Sequence, residues 1–123
     1  MVKKLENPKH DCVFCRIMNG EIVAHTIFEN ENFKAIPDAN PKVKGHSLII
    51  SKKHFETVLD MPITLGGELV EAIKGTSLKL MDENKAQGFN IIQNNFAVAG
   101  QIVPHVHFHI FPRKPGDKVH FME

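Results

Sequence analysis

Apolar side chains recur along this chain with two different periods, and each period predicts a different kind of element. Over Thr64–Gln87, leucine, isoleucine and alanine return every three or four residues, which predicts one long amphipathic helix. Gly66, Gly67 and Gly75 lie inside this pattern, and each weakens a helix by about 1 kcal/mol relative to alanine. Gly88 follows directly and is expected to cap the carboxyl end of the helix.

Shorter apolar runs, bounded by turn residues, predict five strands. They are Val23–Glu29, Asn32–Ile36, His46–Ile50, Phe89–Gln93 and Gln101–Pro112. An amphipathic stretch over Cys12–Met18 and a short helix over Phe55–Met61, stopped by Pro62, complete the predicted elements.

Length and composition favour one globular domain over the whole chain, 1–123. Apolar residues make up 42% of the 123 residues, and the formal net charge of +1 leaves no electrostatic footprint for a nucleic-acid polymer or an anionic membrane. No apolar run approaches the roughly 20 residues that cross a bilayer, and the polar start does not resemble a secretory signal. We therefore expect a cytoplasmic protein with a flexible extension over residues 1–9.

The histidines and cysteines carry the candidate chemistry. The chain has eight histidines but no tryptophan or tyrosine, and its two cysteines, Cys12 and Cys15, are three positions apart. Because a disulfide between such close cysteines would not close a long loop, and export is not expected, a metal or redox role is favoured over a structural disulfide.

Three histidines alternate with apolar residues near the end of the chain. On a strand, His105, His107 and His109 share one face while the residues between them face the core. An ordinary solvent face carries lysine, glutamate, threonine or serine, and packing does not require three imidazoles. Groups that titrate near neutral pH are instead typical of acid–base and phosphoryl chemistry.

Strand geometry limits what the three histidines do together. Neighbouring members lie about 6.6 to 7 Å apart and the outer two about 13 Å, whereas ligand nitrogens sit about 2.0 to 2.1 Å from a zinc ion. A division of labour is therefore favoured. One end joins a metal site or a hydrogen-bond network, the middle histidine does the chemistry, and the other end contacts the substrate.

Four segments, in the same order along the chain, resemble segments of the histidine triad (HIT) family over about residues 10 to 113. Gly100–Arg113 resembles its signature of alternate histidines, and Cys12–Glu21 resembles the first segment of its nucleotide-binding-protein branch. Asp38–Pro41 and Gly45–His54 resemble its central segment. The resemblance implies an α+β fold, with helices packed on a five-stranded antiparallel sheet, and a homodimer joined through the long helix.

The resemblance also implies hydrolysis or transfer at the α-phosphate of a nucleotide conjugate. The middle histidine, His107, matches the nucleophile, and His105 and His109 flank it. His109 is expected to donate to a phosphate oxygen, and as the third histidine it replaces the glutamine of the transferase branch, which favours hydrolysis. Further active-site or phosphate-contacting positions match His46, Asn94, Gly100 and Gln101.

The nucleoside is expected to lie among residues from separate segments. Asp38 matches the carboxylate that accepts both ribose hydroxyls, because its two oxygens take two O–H donors. Phe14, Ile17 and Ile36 match an apolar clamp for a purine base. The alternative for Asp38 is a turn that its side chain initiates, and the alternative for the three apolar residues is that they belong to an ordinary core.

A structural zinc is implied at Cys12, Cys15, His54 and His105, which match the ligand positions of zinc-bearing bacterial members of the family. Four protein ligands leave no open position for water. The alternative is a reduced, metal-free cysteine pair.

One departure from the family pattern concerns the leaving group. The phosphoramidase branch has a hydroxyl residue three positions before the triad, where this chain has Ile102. The sequence therefore leaves the preferred leaving group open. Three alternative functions also stay open: a dinucleoside polyphosphate hydrolase, a nucleotide- or zinc-binding regulatory module with little turnover, or a hydrolase with zinc held by the triad.

Overall fold

A computed structural model describes residues 11–121, so the predicted extension over residues 1–9 lies outside them. Within this part of the chain a single sheet has five antiparallel strands in the order β1-β2-β3-β5-β4. The strands are β1 (Phe28–Glu29), β2 (Phe33–Pro37), β3 (Ser47–Ser51), β4 (Gly88–Ile92) and β5 (His107–Arg113). The predicted five-stranded antiparallel sheet is confirmed.

Two α-helices accompany the sheet. The short helix α1 spans Val13–Met18, and the long helix α2 spans Gly66–Asn84. Three 3-10 turns are also present, at Val58–Asp60, Ile63–Leu65 and Ala97–Ala99. Among the described residues, no helix has the length and apolar character needed to cross a membrane.

Each face of the sheet buries its own apolar cluster. Strand alternation turns Phe33, Ile49 and Ile110 toward α2, where they pack with Ala72 and Leu80. The opposite face, called the α1 face here, carries a second cluster from α1 and the same strands. The α1-face cluster consists of Cys12, Phe14, Cys15, Ile17, Ile36, Leu48 and Ile50. Because His107 and His109 alternate with Phe108 and Ile110, their rings lie on the α1 face.

The first and last strands are shorter than predicted. The apolar run Val23–Glu29 forms a strand only at its end, since Val23 is 94% exposed and pairs with no strand. The last strand begins at His107 rather than Gln101. Before it, Pro104 has no N–H to donate, and the buried Gln101 side chain bonds to backbone groups instead.

Two helix predictions are also corrected. The long helix ends at Asn84, with Lys85 in the left-handed conformation (φ 54°), so Gly88 is not its cap but the first residue of β4. The predicted helix over Phe55–Met61 contains only a 3-10 turn. The Phe55 carbonyl accepts the Val106 N–H at 2.7 Å, so it is not available to a helical partner.

Gly75 lies at a close crossing between α2 and β1. A Cβ atom at this position would lie 2.5 Å from the Phe28 ring. The glycine that weakens the helix therefore allows the first strand to pack directly against it.

Candidate active site and metal cluster

A cleft of about 950 Å³ opens on the α1 face of the sheet. Its volume lies in the range of small-molecule sites. Apolar side chains form most of its walls, and its polar groups converge from β5 and the loops beside it. Nine of the predicted site residues line it, eight of them being Phe14, Ile17, Ile36, Asp38, His46, Asn94, His107 and His109. Gly100 also lines it, whereas Gln101 and His105 do not.

The His107 ring is held by the backbone beside it. Its Nδ1 lies 2.7 Å from the His105 carbonyl oxygen, and because a carbonyl only accepts, Nδ1 carries the proton. In the neutral ring, Nε2 therefore has the free lone pair. Burial lowers the pKa of His107, although this hydrogen bond and the charge of Asp38 oppose the shift. The ring packs edge-on against Phe14, with centroids 5.0 Å apart.

His109 and His46 lie beside the nucleophile candidate and contact each other. The His46 Nε2 lies 3.0 Å from the His109 Nδ1 and 3.3 Å from an Asp38 carboxylate oxygen. Burial and the neighbouring His107 and His46 rings lower the pKa of His109 to about 4. Burial also lowers the pKa of His46, against the opposing charge of Asp38. Both rings are therefore neutral near pH 7.

Asp38 combines a turn with a partly exposed carboxylate. One oxygen accepts the Asn40 N–H at 2.8 Å, which is the turn contact considered as an alternative. The other oxygen lies near His46. A carboxylate has about four lone-pair sites, so these two contacts leave acceptor capacity toward the cleft.

The residues of the predicted base clamp belong to a buried apolar cluster and also form one wall of the cleft. Phe14, Ile17 and Ile36 belong to the α1-face cluster and are at most 9% exposed, yet each contributes surface to the cleft. Burial against the sheet fixes their side chains, which gives the wall a preformed apolar surface.

Gly100 and Gln101 have different roles in the loop before β5. Gly100 has φ 97°, which suits glycine, and it places the backbone close to Asn94. The Gln101 side chain instead joins the Phe96 N–H to backbone carbonyls. The backbone N–H of Gly100 donates to the Ala97 carbonyl at 3.0 Å and that of Gln101 to the Phe96 carbonyl at 3.2 Å, so both backbone donors of this loop are already engaged.

A second group of side chains meets at the start of α1. The ligand atoms of Cys12, Cys15, His54 and His105 all lie within 4.8 Å of one another. The His105 Nδ1 lies 3.3 Å from the Cys12 sulfur, and the His54 Nδ1 lies 3.2 Å from the Cys15 sulfur. Zinc with tetrahedral sulfur and nitrogen ligands has edges of about 3.5 Å, so this donor set fits a closed zinc site.

His105 is prepared for a ligand role. Its Nε2 donates to the Ser51 carbonyl at 2.8 Å, which leaves the Nδ1 lone pair facing the cysteines. Burial lowers its pKa to about 4, so the ring is neutral, as a metal ligand must be.

Asp38, His46 and His109 form another cluster of potential ligand atoms, but their hydrogen bonds do not fit a metal. The Lys42 N–H donates to the His46 Nδ1 at 3.1 Å, so the neutral ring carries its proton on Nε2. That nitrogen faces the other two residues as a donor, not as a ligand.

Several cleft residues were missed by the sequence reasoning. Phe111 continues the alternation of the histidines, and its ring lies 4.1 Å from that of His46, so the period offered a signal for it. Lys42 acts on His46 through its backbone, for which residue type gives no signal. Phe121 lines the cleft from the tail, which was predicted only as a loop.

Comparison with known proteins gives one family and several relatives. The HIT domain model matches residues 19–116. A HIT-like protein of Methanocaldococcus jannaschii is 46% identical over 108 residues, which cover 86% of this chain and 81% of that protein. An adenylylsulfatase of Arabidopsis thaliana is 37% identical, over 89% of this chain and 55% of that protein. An adenosine 5'-monophosphoramidase of Candida albicans is 35% identical, over 84% of this chain and 70% of that protein.

The solved structures agree on the fold. A crystal structure of a Streptococcus mutans protein superposes with a TM-score of 0.85 at 36% identity, covering 94% of this chain and 75% of that one.

Proposed function

The chain belongs to the HIT domain family, and we propose that it is a nucleotidyl hydrolase that acts at the α-phosphate of purine nucleotide conjugates. The observation that carries this proposal is the 2.7 Å hydrogen bond from the His107 Nδ1 to the His105 carbonyl. It fixes the tautomer in which Nε2, the nitrogen without a proton, is the nucleophile of a ring that lines the cleft.

The reaction divides into two displacements at phosphorus. The Nε2 lone pair of His107 forms a nitrogen–phosphorus bond while the bond to the leaving group breaks and its electrons depart with that group. Water then attacks phosphorus and loses a proton to solvent, the nitrogen–phosphorus bond breaks with its electron pair returning to Nε2, and nucleoside monophosphate is released. Burial keeps His107 neutral and nucleophilic near pH 7.

The phosphate oxygens are proposed to receive hydrogen bonds from the cleft. His109 supplies a ring donor and Asn94 an amide donor. The backbone N–H groups of Gly100 and Gln101 would contribute only by exchanging their present bonds to the Ala97 and Phe96 carbonyls. Fixed donors of this kind stabilise the negative charge that develops in the transition state. His46 supports His109 through their direct contact.

The nucleoside part of the substrate is assigned to the part of the cleft lined by Asp38 and the apolar wall. Asp38 accepts the ribose hydroxyls with its remaining lone pairs. The base lies between Phe14, Ile17 and Ile36. An apolar slot of this kind binds either purine without reading its edges.

Relatives named as a phosphoramidase and as an adenylylsulfatase favour AMP joined to nitrogen or to sulfate as the substrate. A dinucleoside polyphosphate is the second candidate, because the same attack at the α-phosphate splits it. We expect the reaction to take place in the cytoplasm, with no nucleic-acid polymer as partner.

We assign a structural zinc to Cys12, Cys15, His54 and His105. Bound there, zinc would join α1 to the chain before β5. Phe14, in the base wall, lies between two of these ligands in the sequence. Because four protein ligands close the coordination sphere, the zinc takes no part in the displacement.

A homodimer is also part of the proposal. β4 is an edge strand, and two of its apolar side chains, Phe89 and Ile91, are 39% and 46% exposed. On α2, Val70 and Leu78 are 54% and 68% exposed. A second copy that packs against this helix would cover these surfaces, and sedimentation at micromolar concentration would then give twice the mass of one chain.

Trapping the covalent intermediate tests the proposed function. Acid-sensitive adducts of radiolabelled nucleotide should survive a rapid alkaline quench and map to His107 by mass spectrometry. His107→Ala should abolish the adduct and turnover while AMP still binds. The exposed His25, which does not line the cleft, provides the control His25→Ala, which should retain both. A His107→Ala rate within tenfold of the wild type, a loss below about 1.4 kcal/mol, would exclude His107 as the nucleophile.

A further inference from the structure

We propose that His46 is a positioning residue that fixes which ring nitrogen of His109 carries the proton. The tautomer follows from hydrogen-bond geometry alone. Its consequence for catalysis rests on the proposed function.

The direction of the hydrogen bonds begins at a backbone group. The Lys42 amide N–H is a donor, and it lies 3.1 Å from the His46 Nδ1. Nδ1 must therefore accept, and the neutral His46 ring carries its proton on Nε2. His46 is 3% exposed, so water does not compete effectively for this contact.

The same proton determines the state of His109. The His46 Nε2–H points toward two acceptors, the His109 Nδ1 at 3.0 Å and an Asp38 oxygen at 3.3 Å. Because a donor faces the His109 Nδ1, that nitrogen accepts and the proton of His109 lies on Nε2. Within residues 11–121 this Nε2 has no hydrogen-bond partner, and the ring lines the cleft.

Phe111 holds both rings in the orientation that this arrangement needs. The His109 and Phe111 rings are stacked, with planes 7° apart and centroids 5.6 Å apart. The His46 ring lies 4.1 Å from the same phenyl group. Rotation of either imidazole out of its present plane would break this packing together with the hydrogen bonds, and a half-turn within the plane would break the hydrogen bonds.

The fixed tautomer supplies a neutral donor at the phosphate. With the proton on Nε2, His109 donates to a phosphate oxygen without becoming an imidazolium, which burial disfavours. The opposite tautomer would present a lone pair to the phosphate oxygen. The backbone of Lys42 thus sets, through His46, the hydrogen-bonding character of His109.

Nitrogen-15 NMR of the full chain, purified with its metal, reads the tautomer directly. Two-bond proton–nitrogen correlations of the wild type should show a single tautomer with the proton on Nε2 for both His46 and His109 near pH 7.5. His46→Phe keeps a ring against Phe111 but removes the donor. It should give mixed tautomers at His109 and lower kcat at least tenfold, with KM changed less than threefold.

A conservative variant separates positioning from packing. The amide nitrogen of His46→Gln stands near the place of the imidazole Nε2, so it should restore the single His109 tautomer and recover most of the kcat lost in His46→Phe. A wild-type His109 with its proton on Nδ1, or a His109 tautomer unchanged by His46→Phe, would overturn the inference. The wild-type spectrum requires no variant to fold and no turnover. A missing adduct at His107 would therefore refute the proposed function while leaving the tautomer result standing.

Discussion

The His107 ring and the His105 carbonyl are joined by a 2.7 Å hydrogen bond, so the proposed nucleophile is oriented by a residue whose own side chain belongs to the proposed zinc site. The backbone of His105 serves the cleft and its ring serves the cysteines. A disturbance that moves this residue therefore reaches both sites.

Metal removal should affect stability more than the initial rate. Protein purified without a histidine tag should contain about one zinc per chain. Chelation should lower the Tm by more than about 5 °C, since the ligands are brought together only in the folded chain. The initial rate at 25 °C should fall less, because the zinc has no open position in the cleft. Metal analysis and calorimetry are the measurements.

Cys15→Ser should reproduce the loss of zinc and of thermal stability, while His25→Ala, with its histidine outside both sites, should reproduce neither. Well under one zinc per chain in preparations never exposed to chelator would falsify the zinc assignment.

Ribose recognition should depend on Asp38. AMP and GMP should bind with similar affinity, because the apolar wall does not read base edges. Their 2',3'-dideoxy forms should bind at least tenfold more weakly, since a hydrogen bond to a charged group contributes about 1.5 to 3 kcal/mol. Asp38→Asn should reduce this preference when affinities are measured by calorimetry. Equal binding of the dideoxy forms would remove Asp38 from the site.

The neutral histidines should make stability depend on acid pH. His109 has a pKa of about 4 in the folded chain, against an ordinary value of 6.5. Between these values the unfolded chain binds the proton more readily, so the free energy of unfolding should fall as the pH drops from 6.5 toward 4. Above pH 7 this contribution is constant.

Urea unfolding across this range measures the effect. His109→Gln leaves the four proposed zinc ligands in place and removes one imidazole whose pKa is lowered in the folded chain. The stability of this variant should therefore decline less steeply with acid than that of the wild type. Identical slopes for the two proteins would show that His109 titrates normally.

A hydroxyl at position 102 should change the preference for leaving groups. Ile102 lines the cleft and is 91% exposed, so Ile102→Ser should not disturb the core. An amine leaving group needs a proton, which the hydroxyl helps to supply, so kcat/KM for an AMP phosphoramidate should rise by about tenfold. For adenylyl sulfate, whose leaving group needs no proton, it should change little. Ile102→Ala is the control, because it removes the bulky side chain without adding a hydroxyl. Equal gains in kcat/KM for both variants would mean that easier access of the substrate to the cleft causes the effect.

The sheet and the long helix were predictable because their signals are local and repeated. The apolar spacing in α2 and the short apolar runs of β2 and β3 follow directly from which surfaces are buried. The beginning of β5 was not predictable in this way. The contacts of the Gln101 side chain with Glu56 and Phe96, and of the Val106 N–H with Phe55, are made at a distance in sequence.

The candidate site shows the same limit. Alternating histidines pointed to His107 and His109, but spacing alone does not bring Cys12 within 3.3 Å of a histidine 93 positions away. The resemblance to a family supplied that set of four. The link through Lys42 depends on a backbone amide, which every residue except proline offers, so only the folded chain reveals it.

The crossing of Gly75 and Phe28 reverses the usual rule for engineering a more stable helix. In an isolated helix, Gly75→Ala would add about 1 kcal/mol of stability. Here the new methyl group would meet the phenyl ring at 2.5 Å and force the Phe28 side chain out of its packing against the helix. Sequence optimisation by helix propensity would therefore select a damaging change at this position. The useful targets are Gly66 and Gly67, where an added Cβ meets no other atom within 4 Å.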